Sequence, residues 1–478
     1  MPLDLQQLLN RHEGRNYELH AQHVNPQFAR VLKTIGYDRC YVRAEGQYLW
    51  DIEGNRYLDM LGGYAVFNMG RNHPAIRKAL IDFMQADYPS WVQMDAPLLS
   101  GLLAEELKKR VSPVDGSLNG SAPLEIVYFT SGGAESVESA IKLARAATGR
   151  PAVLHCTKAF HGLTTGAVSL NGCESFRSGF EPFLPHCRQI PFDDLAALDL
   201  ALRAGDVAAF IVEPIQGKGV NIPSPGYLAS AAELCRRHGA LFIADEIQTA
   251  FGRTGKFLAI HHEGHVDPDM VILSKALSGG YVPVGAVLMR KWIYQKVFSS
   301  MDRAVVHSST FGQGSMAMVA GLASLAALDD ENLAARAEQM GALLREGLEK
   351  MVPRFEFMHG VRQRGLMVGI QFGKPRSLSL RTAWSVIHSM DPNLFPQVIT
   401  IPLLDNHRIL TQVAGHATNV IKLIPPLVIT EGDVAHFLKA FESVMIELHQ
   451  FPGPLWRLMK KLGTLALTSR PREAVASG

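Results

Sequence analysis

Four short apolar segments in the middle of this sequence, each followed closely by polar residues, constrain its fold more than any other feature. The segments are residues 126–129, 207–212, 241–244 and 270–273, and their β-branched and aliphatic composition predicts strands. The polar residues after them are Thr130-Ser131-Gly132-Gly133, Glu213, Asp245 and Lys275. Because the carboxyl ends of parallel strands meet at one edge of an open sheet, we expect these polar residues to form a single ligand site.

Helical periodicity between the apolar segments predicts an α/β domain with a mainly parallel sheet. Residues 227–238 predict a crossover helix that stops at Gly239, and a second helix is expected after Gly133. From about Asp329 a long charged helix, short strands and a final helix near residues 431–449 predict a smaller α+β domain. The expected division is an N-terminal segment of the small domain (1–75), a large domain that carries the ligand site (76–328), a C-terminal small domain (329–450) and a basic amphipathic tail (451–478).

Composition argues against several classes of function. The formal net charge is +2 and charged residues make up 19% of the chain, so we expect no nucleic-acid partner. The five cysteines are odd in number and scattered, which favours reduced thiols over a disulfide framework. The N-terminus lacks the apolar run of a signal peptide, and no stretch approaches the roughly 20 apolar residues of a spanning helix. We therefore expect a cytoplasmic protein.

Ser131-Gly132-Gly133 lies between a predicted strand and a predicted helix, where it can form a phosphate-binding loop. Glycine lets the backbone approach a ligand, and the first turn of a helix offers free N–H groups and the positive end of its dipole. An ordinary tight turn is the alternative. The segment from Gly252 to Lys256 lacks the spacing of a nucleoside-triphosphate loop, so that class of ligand is not expected.

Asp245 and Lys275 are candidates for the acid and the amine that an enzyme needs to use pyridoxal 5′-phosphate (PLP). A carboxylate at the end of an apolar strand is costly to bury without a partner, and PLP enzymes need an acid that faces the pyridine nitrogen. A metal ligand or a helix cap is the alternative for Asp245. A partly desolvated Lys275 has a lowered pKa and serves as an amine nucleophile and base, whereas a solvated lysine is the alternative.

The motifs around these residues resemble those of the class III (ornithine, GABA and ω-amino acid) aminotransferases, which have PLP fold type I. The resemblance extends over roughly residues 41–446. The segments that carry it are Gly70-Arg71-Asn72-His73-Pro74, residues 129–145, Phe160-His161-Gly162, Glu213-Pro214-Ile215-Gln216-Gly217, Asp245-Glu246-Ile247-Gln248-Thr249, Gly252-Arg253-Thr254-Gly255 and Ser274-Lys275-Ala276-Leu277-Ser278-Gly279-Gly280. It implies a large domain with a mainly parallel sheet flanked by helices, and a smaller α+β domain built from the N- and C-terminal segments. It also implies PLP as the cofactor and a homodimer with composite active sites.

The same resemblance implies roles for individual residues. Lys275 binds the cofactor covalently and moves a proton, while Asp245 pairs with the pyridine nitrogen. Ile247 and Phe160 lie on the two faces of the ring, and Gln248 contacts its 3′-oxygen. The other residues implied to bind the cofactor are Ser131, Gly132, Gly133, His161, Glu213 and, from the neighbouring subunit, Thr310.

Two lysines depart from the family pattern on the substrate side. Position 218 usually carries Glu and position 422 usually carries the Arg that binds the α-carboxylate of glutamate, but this chain has Lys218 and Lys422. Since lysine lacks the planar fork of arginine, we expect both lysines to turn outward, and diamines or primary amines to react better than glutamate. A doubly anionic substrate is the alternative. The candidate substrate-binding residues are Tyr64, Trp91, Lys218 and Lys422.

Two further segments have the composition of other kinds of site. His261-His262-Glu263-Gly264-His265 is rich in potential metal ligands, but its spacing and the loop signal after it predict a solvated loop and no metal. Residues 455–467 form a basic amphipathic pattern that contains Trp456. That pattern suits a helix docked on the protein or, as the alternative, a peripheral membrane contact.

The sequence thus predicts an aminotransferase that moves an amino group from a primary amine, diamine or ω-amino compound to a keto acid or other carbonyl acceptor by a ping-pong mechanism. Its partners are expected to be that small-molecule donor and acceptor. An aminomutase or a decarboxylase remains an alternative, because the same cofactor residues serve all of these reactions. Amination of a lipid-like carbonyl substrate at a membrane surface is another. The intact Lys275 and Asp245 argue against a non-catalytic scaffold.

Overall fold

The structure, a computed structural model, describes residues 3–450 apart from 91, 93, 112–122, 265, 391–393 and 416–417, together with residue 453. Trp91 and, except for residue 453, the basic tail expected from residue 451 lie outside these described residues. Within the described ranges, no helix combines the length and the apolar character that crossing a membrane requires.

Strands and helices alternate along most of the described chain. The strands are β1 (Tyr41–Glu45), β2 (Tyr48–Asp51), β3 (Arg56–Asp59), β4 (Ile126–Thr130), β5 (Ala152–Cys156), β6 (Cys187–Ile190), β7 (Val207–Val212), β8 (Leu241–Asp245), β9 (Met270–Leu273), β10 (Gly285–Met289), β11 (Met358–Arg364), β12 (Met367–Phe372), β13 (Ile409–Leu410), β14 (Gln412–Val413) and β15 (Val420–Leu423). The helices are α1 (Leu5–His12), α2 (Asn16–His23), α3 (Pro26–Thr34), α4 (Gly62–Ala65), α5 (Pro74–Gln85), α6 (Leu98–Val111), α7 (Gly133–Thr148), α8 (Thr165–Ser169), α9 (Leu195–Leu202), α10 (Tyr227–His238), α11 (Lys291–Val297), α12 (Ser315–Asp330), α13 (Leu333–Glu349), α14 (Leu378–Met390), α15 (Leu394–His407) and α16 (Glu431–His449).

A large sheet occupies the middle of the chain. In the described part, its seven strands follow the order β4-β10-β9-β8-β7-β5-β6. β10 runs antiparallel to both of its neighbours, and the remaining pairs are parallel. Every residue of β7, β8 and β9 is buried, as expected for a parallel sheet covered on both faces by helices. The four strands predicted from apolar segments are confirmed, with β4 and β8 each one residue longer than expected.

The two ends of the chain meet in smaller sheets. Among the described residues, β1, β2 and β3 from the N-terminal part form one four-stranded sheet with β13 from the C-terminal part. A second four-stranded sheet has the order β11-β12-β15-β14. The predicted fold class, a large α/β unit with a smaller α+β part built from both terminal segments, is confirmed. The exact domain boundaries stay a prediction.

Helix α13 packs so closely on a neighbouring loop that one of its positions has no room for a side chain. A Cβ atom placed on Gly341 would lie 1.9 Å from the carbonyl oxygen of Gly365. Backbone atoms cannot rotate away as a flexible side chain can. Contact between α13 and this loop therefore requires glycine at position 341.

We expect Gly341→Ala to destabilise the protein by more than about 2 kcal/mol, because α13 must move away from the loop. Gly432→Ala is the matched control, since this exposed glycine also lies in a helix, α16, and its nearest neighbour is the Thr430 hydroxyl at 3.6 Å. The control should change stability by less than about 1 kcal/mol. Thermal melts of both variants check the expectation, and equal melting temperatures would contradict it.

Candidate active site

The polar residues that follow the central strands lie at one cavity, as the sequence predicts. Asp245 is the last residue of β8, Glu213 follows β7, and Lys275 begins a short 3₁₀ turn after β9. All three line a cavity of about 210 Å³ at the carboxyl edge of the sheet. Its lining also includes the predicted cofactor residues Gly133, Phe160, His161, Ile247 and Gln248.

Lys275 is held in a backbone conformation that side chains rarely adopt. Its φ is +47°, in the left-handed region, where a non-glycine residue costs on the order of 1 kcal/mol or more. The preceding residue is fixed because the Ser274 hydroxyl donates to the carbonyl of Val284 at 2.7 Å. Burial lowers the pKa of Lys275, although the charges of Asp245 and Glu213 oppose that shift. A lowered pKa leaves more of the amine unprotonated and able to act as a nucleophile.

Asp245 is a buried carboxylate with a specific partner. It is 3% exposed, and its Oδ2 lies 2.6 Å from Nδ1 of His161, while its Oδ1 accepts a hydrogen bond from the backbone N–H of Ile247 at 3.1 Å. Burial alone would lower the pKa of His161, but the hydrogen bond and charge of Asp245 raise it. Each carboxylate oxygen of Asp245 retains a lone pair for a further donor.

Glu213 connects two loops that border the cavity. Its Oε1 accepts the backbone N–H of Phe160 at 3.0 Å, and its Oε2 accepts that of Gly217 at 2.8 Å. Burial raises the pKa of Glu213, and the neighbouring charge of His161 acts in the opposite direction. The sequence predicts a cofactor contact for this residue, and the structure adds a positioning role.

The predicted phosphate loop lies at the start of α7. Gly132 precedes this helix, and no side chain caps its N-terminus. A Cβ on Gly133 would lie 3.0 Å from Cδ1 of Ile247, so the glycine allows close packing there. Ser131 is tied in place through its backbone N–H, which donates to Glu135 at 2.7 Å. Ser131 and Gly132 flank the 210 Å³ cavity in sequence but are not part of its lining.

Gln248 joins the first cavity to a second and larger one. Its Nε2 donates to the carbonyl of Tyr64 at 3.2 Å, and its Oε1 accepts from Nζ of Lys422 at 3.3 Å. The second cavity measures about 510 Å³ and shares Phe160, Glu213, Gln248 and Lys275 with the first. A ligand at Lys275 can therefore extend into the larger space.

Both substrate-side lysines face this larger cavity, so the expectation that they turn outward is wrong. Lys422 is 5% exposed, and its Nζ donates to the carbonyl of Gly217 at 2.8 Å as well as to Gln248. Burial and the nearby charge of Lys275 lower the pKa of Lys422 to about 7. Nζ of Lys218 is buried too, against the rings of Phe160 and Phe176. Aromatic rings contact the amine of Lys218, and oxygen acceptors bind the amine of Lys422. Neither amine forms a salt bridge with an acidic side chain of the described residues.

Sequence patterns alone did not identify several lining residues. Phe176, Gln397 and Gln412 contribute to the larger cavity, and Gln412 accepts a hydrogen bond from the hydroxyl of Tyr64, which also lines it. These residues follow no strand of the large sheet, so the pattern that revealed Asp245 does not apply to them. Thr310 is exposed on its own chain and lines neither cavity.

Residues 261–264 of the histidine-rich segment are described, and His262 and Glu263 contact the backbone of neighbouring elements. Nε2 of His262 lies 2.8 Å from the carbonyl oxygen of Thr254, and Glu263 accepts backbone N–H groups from Leu228 and Ala229. Among the described residues, no cluster of potential ligands that could hold a metal ion is present.

Comparison with known proteins agrees with this arrangement. The family model for class III aminotransferases matches residues 33–445. The chain belongs to this family. It is 35% identical over 462 residues to the aminotransferase PigE of Serratia sp. (strain ATCC 39006), a match that covers 90% of this chain. The match covers 53% of PigE, so the chain spans about half the length of this relative.

Solved structures of the family have the same fold. An ornithine aminotransferase from Toxoplasma gondii ME49 is 29% identical, with a TM-score of 0.76 over 94% of this chain and 100% of its own. An acetylornithine aminotransferase from Elizabethkingia anophelis is 32% identical, with a TM-score of 0.67 over 88% of this chain and 99% of its own. Another structure of the Toxoplasma gondii ornithine aminotransferase is described with partial occupancy of PLP at its active site.

The class III aminotransferases use PLP, and the cavity fits that cofactor. Lys275 offers a partly buried amine for its aldehyde, and Asp245 offers a charge with a free lone pair for its ring nitrogen. The uncapped start of α7 suits its phosphate. The Nε2 atom of His161 is buried without a hydrogen-bond partner among the described residues, so it is available to a polar group bound in the cavity.

Asp245→Asn should lower turnover on the order of 100-fold, because it keeps the shape of the side chain and removes the charge at the cavity base. Glu246→Gln is the matched control. The carboxylate of Glu246, the residue next to Asp245, accepts the backbone N–H groups of Ala259 and Ile260 at 3.0 and 2.9 Å. The control should lower thermal stability by about 1–3 kcal/mol and leave turnover per bound cofactor close to wild type.

Steady-state rates, normalised to bound PLP measured by absorbance, provide the comparison. An Asp245→Asn variant that binds PLP and turns over at the wild-type rate would contradict the role assigned to Asp245.

Proposed function

We propose that this protein is a PLP-dependent aminotransferase that takes the amino group of a primary amine, diamine or ω-amino compound and passes it to a keto acid or other carbonyl acceptor by a ping-pong mechanism. The observation that carries this proposal is the joint placement of Lys275 and Asp245 at one buried cavity that opens into a second, larger one. The family membership supports the reaction class.

When bound, PLP supplies an aldehyde that condenses with amines and a ring that accepts an electron pair. The protein supplies the remaining requirements. Lys275 is the base that accepts the proton from the substrate carbon bearing the amino group, because burial lowers its pKa and so favours the unprotonated amine. Asp245, oriented by His161, provides the negative charge opposite that ring. Ile247 and Phe160 line the cavity as apolar walls that limit its contact with water.

The larger cavity is the proposed substrate site. It reaches Lys275 at one end and is lined elsewhere by Tyr64, Phe176, Gln412, Lys218 and Lys422. Its volume of about 510 Å³ leaves room for a donor or acceptor of several carbon atoms. One site serves both half-reactions, since the product formed from the donor leaves before the acceptor enters the same cavity.

Lys275→Ala should abolish multiple turnover, because no other amine among the described residues lines the smaller cavity. Borohydride treatment of the PLP-loaded wild type should leave the cofactor attached to the peptide that contains Lys275, as measured by mass spectrometry. The control is Lys158→Ala, which removes a lysine outside both cavity linings. Substantial multiple-turnover activity in Lys275→Ala would contradict the assignment.

We also propose that the active unit is a homodimer whose sites combine residues of both subunits. Thr310 lies on a surface segment with exposed apolar side chains, including Met301 at 96% and Val305 at 75% exposure. Exposed apolar residues in contiguous patches are typical of subunit contacts. An exposed Thr310 can bind the phosphate of the neighbouring subunit's cofactor without lining its own cavity.

Thr310→Ala should weaken PLP binding by about tenfold, the cost of one lost hydrogen bond to a charged group. Ser308→Ala, a neighbouring exposed position, is the control and should bind PLP normally. Mixed dimers of Lys275→Ala and Thr310→Ala subunits should regain activity at limiting PLP, because one of their two sites is then intact. If Thr310 acts within its own chain, each site carries one lesion and no activity returns.

A further inference from the structure

Lys218 places an amine inside the larger cavity without a hydrogen-bonding partner among the described residues. Its Nζ is buried and donates to no carbonyl, carboxylate or amide oxygen of the described residues. Its aliphatic stem packs on Gly415, where a Cβ atom would lie 3.5 Å from both Cβ and Cγ of the lysine. The stem is therefore held by packing, and the ammonium group at its end lines the cavity.

Two aromatic rings contact this ammonium group. Its nitrogen lies 3.6 Å from the ring centroid of Phe176 and 4.9 Å from that of Phe160. The two rings meet edge to face with their centroids 5.4 Å apart. A cation is attracted to aromatic faces, but those faces contain no oxygen to accept its N–H groups. The two rings fix the position of the ammonium group and leave its N–H groups able to donate to a bound ligand.

Lys422, the other lysine on the substrate side, differs in this respect. Two acceptors already hold its Nζ, the carbonyl oxygen of Gly217 at 2.8 Å and Oε1 of Gln248 at 3.3 Å. Lys422 therefore keeps Gln248 in place. Lys218, in contrast, is buried at this cavity without an acceptor among the described residues.

The ionisable side chains that line the larger cavity favour an anionic substrate group over a further amine. Among its described lining residues, Lys218, Lys275 and Lys422 are the basic side chains and Glu213 is the acidic one. Both carboxylate oxygens of Glu213 are occupied by backbone N–H groups. A diamine would add a further ammonium group to this space, whereas a carboxylate would supply the acceptor that Lys218 lacks.

We propose that Nζ of Lys218 binds a carboxylate of the substrate, so that the enzyme selects ω-amino acids and keto acids over amines and diamines of similar length. This inference rests on the proposed aminotransferase function, and it narrows the donor class named there. The amino end of the substrate lies at Lys275, and its carboxylate accepts a hydrogen bond from Nζ of Lys218. Burial lowers the pKa of Lys218, and a bound carboxylate would oppose that shift by stabilising the ammonium form.

The first test compares two donors that differ in the carboxylate, 4-aminobutyrate and butylamine. In the holoenzyme, the ratio of their kcat/KM values should favour 4-aminobutyrate. Lys218→Met should lower that ratio at least tenfold, mainly through KM for 4-aminobutyrate, and Lys218→Arg should restore most of it. Lys439→Met, which removes an exposed lysine on α16, is the control and should keep the wild-type ratio.

Two kinetic outcomes would overturn the inference. If Lys218→Met lowers kcat/KM for both donors equally, the residue has a structural role and no preference for a carboxylate. If the ratio survives in Lys218→Met and is lost in Lys422→Met, the carboxylate binds to Lys422 instead.

A second test separates this inference from the proposed function, because it needs no turnover. Calorimetric titration of the PLP-loaded protein should show butyrate binding at least tenfold more tightly than butyramide. Lys218→Met should remove that difference. A holoenzyme that turns over no donor from a panel of primary amines, diamines and ω-amino acids, but binds butyrate through Lys218, would refute the aminotransferase proposal and support the anion site. A holoenzyme that turns over both donors and binds butyrate no better than butyramide would refute the anion site alone.

Discussion

The active site depends on the burial of a carboxylate at the end of an apolar strand. Asp245 ends β8, a strand with no exposed residue, and its carboxylate is oriented there by His161, whose Nδ1 lies 2.6 Å from it. The alternation of a strand sends the next side chain to the opposite side. Glu246 therefore accepts backbone N–H groups at residues 259 and 260, and burial raises its pKa to about 7. Two adjacent acids thus have separate functions, one at the cavity and one in the fold.

Rigid elements and short hydrogen-bonded connections keep the other cavity residues in position. The φ of +47° at Lys275 persists because Ser274 is bonded to Val284 and the following turn is buried. Glu213 joins the loops at Phe160 and Gly217 through its two carboxylate oxygens. These hydrogen bonds hold the strained and partly desolvated Lys275 in position, which is the preorganisation that catalysis by positioning requires.

The parts of the structure that follow from local pattern were predictable from the sequence. The apolar segments define β4, β7, β8 and β9, and the rule for parallel sheets then places Glu213, Asp245 and Lys275 together. The orientation of Lys218 and Lys422 was not predictable, because it depends on contacts between distant segments. Lys422 lies on β15, opposite Gln412 of β14, and reaches back to Gly217. A free lysine in water is the usual case, and only the assembled cavity shows why these two are enclosed.

The larger cavity adds residues from a second part of the fold to those that it shares with the smaller one. This difference explains how the substrate side can depart from the family pattern while the cofactor side keeps it. The smaller cavity is built on the large sheet and its loops. The larger one adds Gln412, Val413 and Lys422 from the sheet near the C-terminus. Lys422 still binds Gly217 and Gln248, so the contact between the two parts is maintained by a lysine. A change of residue at positions 218 and 422 can thus alter which substrates bind and leave Asp245 and Lys275 in place.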